Sequence, residues 1–337
     1  MLTISVVIPT YNCQKYIAKA LESAIAQEVG EIIVVDDGSV DDTCSVVKSF
    51  IDRDARPKLV YARQQNQGVC AARNHGVRLA QGELIAFLDA DDWYLPNKIA
   101  KQAAVFAADP NLGLVQGGWQ RVSELGEVLA TIKPWENVPE LNMASWLRYK
   151  PVLPSALMIR RSWLEQVGGF DPAFQAAEDV ELVSRLAARG CRSAWLKSVT
   201  VSYRQRSGSA MGDGLVQARD LAKFLDKFFQ QPNLPATAQL LESSVRYHTL
   251  VWAAWYLQAT GYLPEMADYL RRAWQYSPYL PAKALVHWIE SFARFSSEAN
   301  APLDIDTLIG SSEWQGLVRW LMVQKSLPDS DRDEPKV

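Results

Sequence analysis

The stretch EIIVVDDGS, residues 31–39, decides the fold. Its apolar run Ile32–Val35 stops at Asp36-Asp37-Gly38-Ser39. A short apolar run without polar alternation is a strand covered on both faces. The same form occurs on either side. Ile4–Ile8 runs into Pro9-Thr10-Tyr11-Asn12, and Leu84–Leu88 runs into Asp89-Ala90-Asp91-Asp92. Leu59–Ala62 reads as one more strand. Helical spacing fills the gaps: Ile17, Leu21, Ala24 and Ile25 within Lys15–Ala26, then Val46, Val47 and Phe50 behind a cap at Asp41 or Asp42, then Val69–Ala80. Strands alternating with helices predict an α/β protein with a mostly parallel sheet flanked by helices. Such sheets bind ligands beyond the C-terminal ends of their strands, which is where the three polar clusters fall.

Further along, the pattern is mixed. Leu114–Val122 and Val128–Ile132 flank a glycine-containing turn, Ala156–Ile159 and Ala194–Tyr203 read as strands, and Ser162–Val167 as a short helix. Glu178–Arg189 reads as a helix stopped by Gly190. Residues 1–213 are therefore expected to form one domain. From 214 to 325 helical patterns take over, predicting an all-α C-terminal appendage. Within it, the spacing from Trp252 to Pro278 is similar to one tetratricopeptide helix pair. The aromatics of this region (Trp252, Trp255, Tyr256, Tyr262, Trp274, Tyr276, Tyr279, Trp288, Trp314, Trp320) are expected mostly in its core, with a sugar platform or membrane-facing surface as the lesser reading. Residues 326–337, rich in Asp, Pro and Lys, read as a disordered tail.

The chain has 337 residues, 48% hydrophobic and 22% charged, with a net charge of −3. That is globular composition, and the absence of a basic surplus argues against a nucleic-acid partner. Cys13, Cys44, Cys70 and Cys191 form no C-x-x-C pair, and there are three histidines, so a structural zinc site is not expected. The cysteines read as reduced thiols of a cytoplasmic protein. No signal peptide is expected at the N-terminus, and no apolar stretch is long enough to span a bilayer.

Four clusters can carry chemistry. Asp89-x-Asp91 can share a hard divalent cation, since Mg²⁺ and Mn²⁺ take oxygen ligands and leave other positions to phosphates and water. The plain alternative is a polar turn ahead of the helix near Pro96. Asp36-Asp37 can accept from a ribose hydroxyl or a base N–H, or can simply enter a turn at Gly38. Asn66-x-Gly68 followed by Arg73 offers close backbone approach, a helix N-terminus and a guanidinium for a phosphate, or else a loop with a surface arginine. Glu178-Asp179 offers a general base, or else acidic residues suited to a helix start.

Taken in order, VVIPTYN, IIVVDDGSVDDT, NQGVCAARNHGV, GELIAFLDADDWYLPNK, GGFD and EDVELVSRLAARG resemble family 2 glycosyltransferases of the GT-A (Rossmann-like) fold, over roughly residues 3–205. The resemblance implies an inverting enzyme that moves a sugar from a nucleotide diphosphate sugar, UDP-sugar as first choice, to a glycan or glycolipid acceptor hydroxyl. It implies a nucleotide-sugar half over 1–112 and an acceptor half over 113–213. It places Pro9, Thr10, Tyr11, Asp36, Asp37, Gly68, Arg73, Asp89 and Ala90 at the nucleotide sugar, Asp91 with Asp89 on Mg²⁺ or Mn²⁺, Asp179 as base and Glu178 in support. Gly168-Gly169-Phe170-Asp171 would shape the acceptor side. It also implies cell-surface polysaccharide or glycolipid assembly, with a cytoplasmic enzyme in peripheral contact with the membrane.

One position departs from the pattern. Arg206 in Tyr203-Arg204-Gln205-Arg206 stands where the family often has histidine. Arginine stays protonated and cannot ligate a metal, but it can pair with a diphosphate. The alternative is an arginine on a mobile loop with no specific role. Competing readings of the whole chain are a nucleotidyltransferase, a retaining transferase, and a non-catalytic nucleotide-sugar-binding scaffold. PTYN in place of a glycine- and lysine-rich phosphate loop argues against the first, the Glu178-Asp179 context against the second, and intact Asp89, Asp91 and Asp179 against the third.

Overall fold

The computed structural model describes residues 2–51, 57–206, 213–299, 301 and 303–324. The chain divides into two compact units, Met1–Ser209 and Ala210–Val337. The expected tail, 326–337, lies outside the described residues.

The first unit opens with β1 (Ile4–Thr10), α1 (Ile17–Ile25), β2 (Glu31–Asp36), α2 (Thr43–Ile51), β3 (Lys58–Arg63), α3 (Val69–Leu79) and β4 (Leu84–Phe87). It continues with β5 (Trp93–Tyr94), α4 (Lys98–Ala108), β6 (Leu112–Val122), β7 (Val128–Ile132), α5 (Met143–Tyr149), β8 (Leu157–Arg160), α6 (Arg161–Val167), α7 (Glu178–Ala188) and β9 (Arg192–Arg204). The sheet runs in the order β3-β2-β1-β4-β8-β6-β9-β5, with β7 on β6. β3, β2, β1 and β4 are parallel, as the apolar runs predict. Beyond β4 the sheet is mixed, because β8 enters antiparallel between β4 and β6 and the β6–β7 hairpin turns back on itself. β9 rejoins β6 in parallel and carries β5 antiparallel on its other edge.

Both faces of the sheet are covered, which is why its strands lack polar alternation. Val6, Ile8, Ile32 and Val34 pack on one side with Ile17, Leu21 and Phe106. Val7, Ile33, Val35 and Phe87 pack on the other with Ala72, Trp146 and Leu182. Asp41 caps α2 as expected: its Oδ1 accepts from the Thr43 N–H at 3.0 Å. Gly190, with φ +84°, follows α7 where the sequence stops it. The short strand β5 and helix α5 have no counterpart in the sequence reading, since each is too short to show a period.

The second unit contains α8 (Gly214–Phe229), α9 (Ala236–Gln239), α10 (Glu242–Ala259), α11 (Leu263–Trp274), α12 (Pro281–Ala299), α13 (Ile305–Gly310) and α14 (Ser312–Met322). No strand occurs among its described residues. α10 buries residues around most of its circumference and packs against α8, α11 and α12. The helix pair expected within 252–278 is α10 and α11, joined across Gly261 at φ +89°. Trp255, Trp274, Trp288 and Trp314 are buried, as the core reading expects of most of these aromatics, whereas the other six named above are only half-buried. No helix of the described residues is long and apolar enough to cross a membrane.

Candidate functional site

The loops after β1 and β2 are sewn together. The Asp37 N–H donates to the Thr10 carbonyl at 2.8 Å, the Asn12 N–H to Ser39 Oγ at 3.0 Å, and the Val40 N–H to Asn12 Oδ1 at 2.9 Å. Asn12 sits at φ +49°, a left-handed conformation that asparagine tolerates well. Asp36 is fully buried, and its carboxylate accepts from the Ser39 N–H at 2.7 Å and from Tyr61 OH at 2.6 Å. Asp37 reaches the other way. Its carboxylate accepts from Gln64 Nε2 at 2.7 Å and from the N–H groups of Gln67 and Gly68 at 2.9 and 2.8 Å. It thus places a negative charge at the N-terminus of α3, where unpaired backbone donors and the helix dipole favour one.

α3 then carries Arg73 into the centre of the site. Its side chain is 3% exposed, with Nη2 on Asp89 Oδ1 at 2.7 Å and Nη1 on Glu178 Oε1 at 2.8 Å. The guanidinium lies over the Phe170 ring, 5.1 Å from its centroid. Phe170 is held in turn by Asn74, whose side chain donates to its carbonyl at 2.7 Å and accepts from its N–H at 2.8 Å. One arginine therefore joins the end of β4, the start of α7 and the GGFD loop.

Asp179, beside Glu178, is half-buried, and its Oδ1 accepts from the Val180 N–H at 2.7 Å. Desolvation first, and the charge of Glu178 second, push its carboxyl up to about 8. A carboxyl that ionises this late is a strong base once ionised, so it is suited to taking a proton near pH 8.

On the far side of Asp89 lies Asp91. Its Oδ2 accepts from Arg206 Nε at 2.7 Å, and its backbone carbonyl accepts from Arg204 Nε at 3.0 Å. Asp92 is buried. One carboxylate oxygen accepts from the Arg204 N–H at 3.0 Å and the other from Ser155 Oγ at 2.7 Å, while Ser155 Oγ accepts the Asp89 N–H at 3.0 Å. Burial, then the charges of Asp89 and Asp91, raise the Asp92 carboxyl well above the usual range. The tip of β9 is thereby pinned to the carboxylate loop.

Arg73 pairs with Asp89 Oδ1 and Arg206 with Asp91 Oδ2, so the other carboxylate oxygen of each has no protein donor among the described residues. No group of three or more His, Cys, Asp or Glu stands ready to hold a metal among those residues. Two carboxylate oxygens fit Mg²⁺ or Mn²⁺ bound largely through phosphates and water, and do not fit a dedicated protein cage.

Residues 5–168 match the model of glycosyl transferase family 2. Names of similar proteins point the same way. A succinoglycan biosynthesis protein, ExoU, of Rhizobium meliloti is 28% identical over 62% of this chain and 64% of its own. An uncharacterized glycosyltransferase of Rickettsia felis is 33% identical over 53% of this chain, and the match spans 30% of the relative's length. Among solved structures, S. aureus TarS in complex with UDP-GlcNAc is 17% identical with a TM-score of 0.63, covering 89% of this chain and 93% of its own. A mannosyltransferase of Pyrobaculum calidifontis in complex with GDP-Man and Mn²⁺ is 20% identical with a TM-score of 0.63, covering 95% and 85%. At these identities the likeness is one of fold, and the expected GT-A architecture with C-terminal helices is present.

The residues singled out from sequence fall into three groups. Arg73, Asp89, Asp91, Glu178, Asp179 and Arg206 are brought together by the contacts above. Pro9, Thr10 and Ala90 are buried, whereas Tyr11 is 47% exposed at the tip of β1. Asp36, Asp37 and Gly68 shape the loops. Two of the plain alternatives do not hold. Arg73 is not an ordinary surface arginine, because its side chain is 3% exposed and both of its amino groups pair with carboxylates. Arg206 is not idle, because Asp91 holds it. Asp92, Ser155, Arg204 and Asn74 were missed. Asp92 adjoins a recognised cluster and Arg204 a recognised deviation, but nothing in the sequence shows that they meet.

Proposed function

We propose that the protein is an inverting glycosyltransferase. It moves a sugar from a nucleotide diphosphate sugar, UDP-sugar first, to an acceptor hydroxyl. The observation that carries this reading is the double ion pair of Arg73. It makes one cluster of an aspartate at the end of β4 and the acidic start of α7, 105 residues apart for the Glu178 pair.

Asp179 takes the proton of the acceptor hydroxyl as its oxygen attacks the anomeric carbon, and the nucleoside diphosphate leaves from the opposite face. Glu178, fixed by Arg73, does not swing into the acceptor site. Its fixed charge keeps Asp179 basic. Asp91 and Asp89 would hold Mg²⁺ or Mn²⁺ through their unpaired oxygens, and the bound cation would offset charge growing on the departing diphosphate. Tyr11, exposed beside the β1–β2 loops, offers a face for the base, with Asp37 setting the loop behind it. Alignment of the two substrates supplies the rest of the acceleration.

The names of the relatives support a setting in polysaccharide assembly, with glycolipid assembly the neighbouring choice and cytoplasmic, peripheral membrane contact implied by a lipid-linked acceptor. Liposome flotation tests that contact, and protein left wholly at the bottom of the gradient rejects it. A panel of UDP-, GDP- and dTDP-sugars with Mn²⁺ or Mg²⁺, followed by nucleoside diphosphate release, tests the activity. One donor is expected to turn over well above the others. Tight metal-dependent binding of a donor with no release would favour the scaffold reading instead.

A further inference from the structure

Asp91, the carboxylate proposed to hold a divalent cation, already holds a cation of another kind. We propose that Arg206 keeps the ligand-free site closed to divalent metal, so that metal enters only together with the nucleotide diphosphate. This rests on reading the cluster as a nucleotide-sugar site.

The placement of Arg206 is built rather than accidental. Two residues earlier, Arg204 is 6% exposed and ties the end of β9 to the Asp92 carboxylate, the Asp91 carbonyl and the Glu124 carbonyl. With β9 anchored there, Arg206 is delivered to Asp91 Oδ2 at 2.7 Å. The Tyr16 ring underlies both guanidinium groups, 5.1 Å from Arg204 and 5.5 Å from Arg206. Tyr16 is itself fixed by its hydroxyl, which donates to Glu124 Oε1 at 2.6 Å.

Charge decides the consequence. Arg73 lies against Asp89 and Glu178, Arg206 against Asp91, and Arg204 adds a third positive charge beside the Asp91 carbonyl. The free site therefore offers little net negative charge at Asp91, and Mg²⁺ or Mn²⁺ needs anionic oxygen ligands to offset its dehydration. A diphosphate supplies them. It also gives the guanidinium a second anion: Arg206 hydrogen-bonds Asp91 through Nε, its two Nη groups have no hydrogen-bond partner among the described residues, and the side chain is 25% exposed. Arginine and phosphate oxygens match in geometry. When the diphosphate draws those donors, Asp91 is released toward the cation. A histidine at this position would instead add a metal ligand and let the cation bind first.

The test is Mn²⁺ binding to the full chain, read by the electron paramagnetic resonance of free Mn²⁺, with and without UDP or GDP. Without nucleotide, wild type is expected to bind Mn²⁺ weakly, Arg206→Gln about tenfold or more tightly, and Arg206→Lys as weakly as wild type, because lysine restores the charge. Adding nucleotide is expected to raise wild-type affinity for Mn²⁺ about tenfold or more, and to shrink the gap to Arg206→Gln. Equal Mn²⁺ affinity of wild type and Arg206→Gln without nucleotide overturns the proposal. So does wild-type Mn²⁺ affinity that nucleotide leaves unchanged while calorimetry shows the nucleotide bound. Calorimetry with neither UDP nor GDP binding at any Mn²⁺ concentration removes the nucleotide-sugar reading itself, a different failure from the first two. Thermal melts of the variants, expected within a few degrees of wild type, show that the fold is kept.

Discussion

Two arginines hold the carboxylates of this site, and they do so in opposite ways. Arg73 is buried, divided between Asp89 and Glu178 and backed by Phe170. Arg206 is a quarter exposed, paired through one nitrogen with Asp91, and follows directly on the end of β9. The first arrangement fixes geometry, since taking either partner away leaves an uncompensated buried charge. The second can be exchanged, since water screens it and an incoming anion can compete. The half of the site facing the proposed base is thus rigid, and the half facing the proposed cation is adjustable.

The largest expected stability effect comes from breaking the rigid half. Arg73→Met should destabilise the first unit by about 3–5 kcal/mol in urea denaturation, because Asp89 and Glu178 lose their common partner. A loss below about 1 kcal/mol would put Arg73 in the same class as Arg206. Gly169→Ala should cost less, on the order of 1–3 kcal/mol, by the same measurement. Gly169 sits at φ +74°, and a Cβ there would collide with the Asn74 side chain that holds Phe170 under Arg73.

Asp179→Asn sharpens the comparison through pH. The folded protein holds this carboxyl protonated up to about 8, whereas in the unfolded chain it ionises near 3.8. Between those values the unfolded state releases a proton that the folded state keeps, so the wild type loses stability as pH rises through the window. Asparagine removes that loss. The variant should match wild type near pH 4 and melt a few degrees higher at pH 8. A melting difference that does not change with pH would contradict the raised carboxyl. The smallest effect is expected at the adjustable half, where Arg206→Gln should change stability by less than about 1 kcal/mol.

The parallel half of the sheet was legible because β1, β2 and β4 are buried on both faces and therefore written as unbroken apolar runs. The polar residues after them were legible for the same reason, since a chain leaving a buried strand must satisfy its backbone at the rim. What could not be read was pairing across long separations. Arg206 and Asp91 are 115 residues apart, and their meeting depends on β9 running parallel to β6 and being pinned by Asp92. The burial of Asp92 and the sharing of Ser155 between Asp89 and Asp92 depend on β8 entering antiparallel, which no local period announces. The partners of Arg73 could not be read because helical spacing does not say which carboxylates a buried guanidinium will find.

The proposed proton removal by Asp179, at a site held by Arg73, is most directly tested by comparing Asp179→Asn with wild type at pH 8, using the best donor from the panel. Donor affinity should stay within about threefold, while kcat for transfer falls by about 10²–10⁴. Transfer at a near-normal rate by the asparagine variant would show that the proton goes elsewhere.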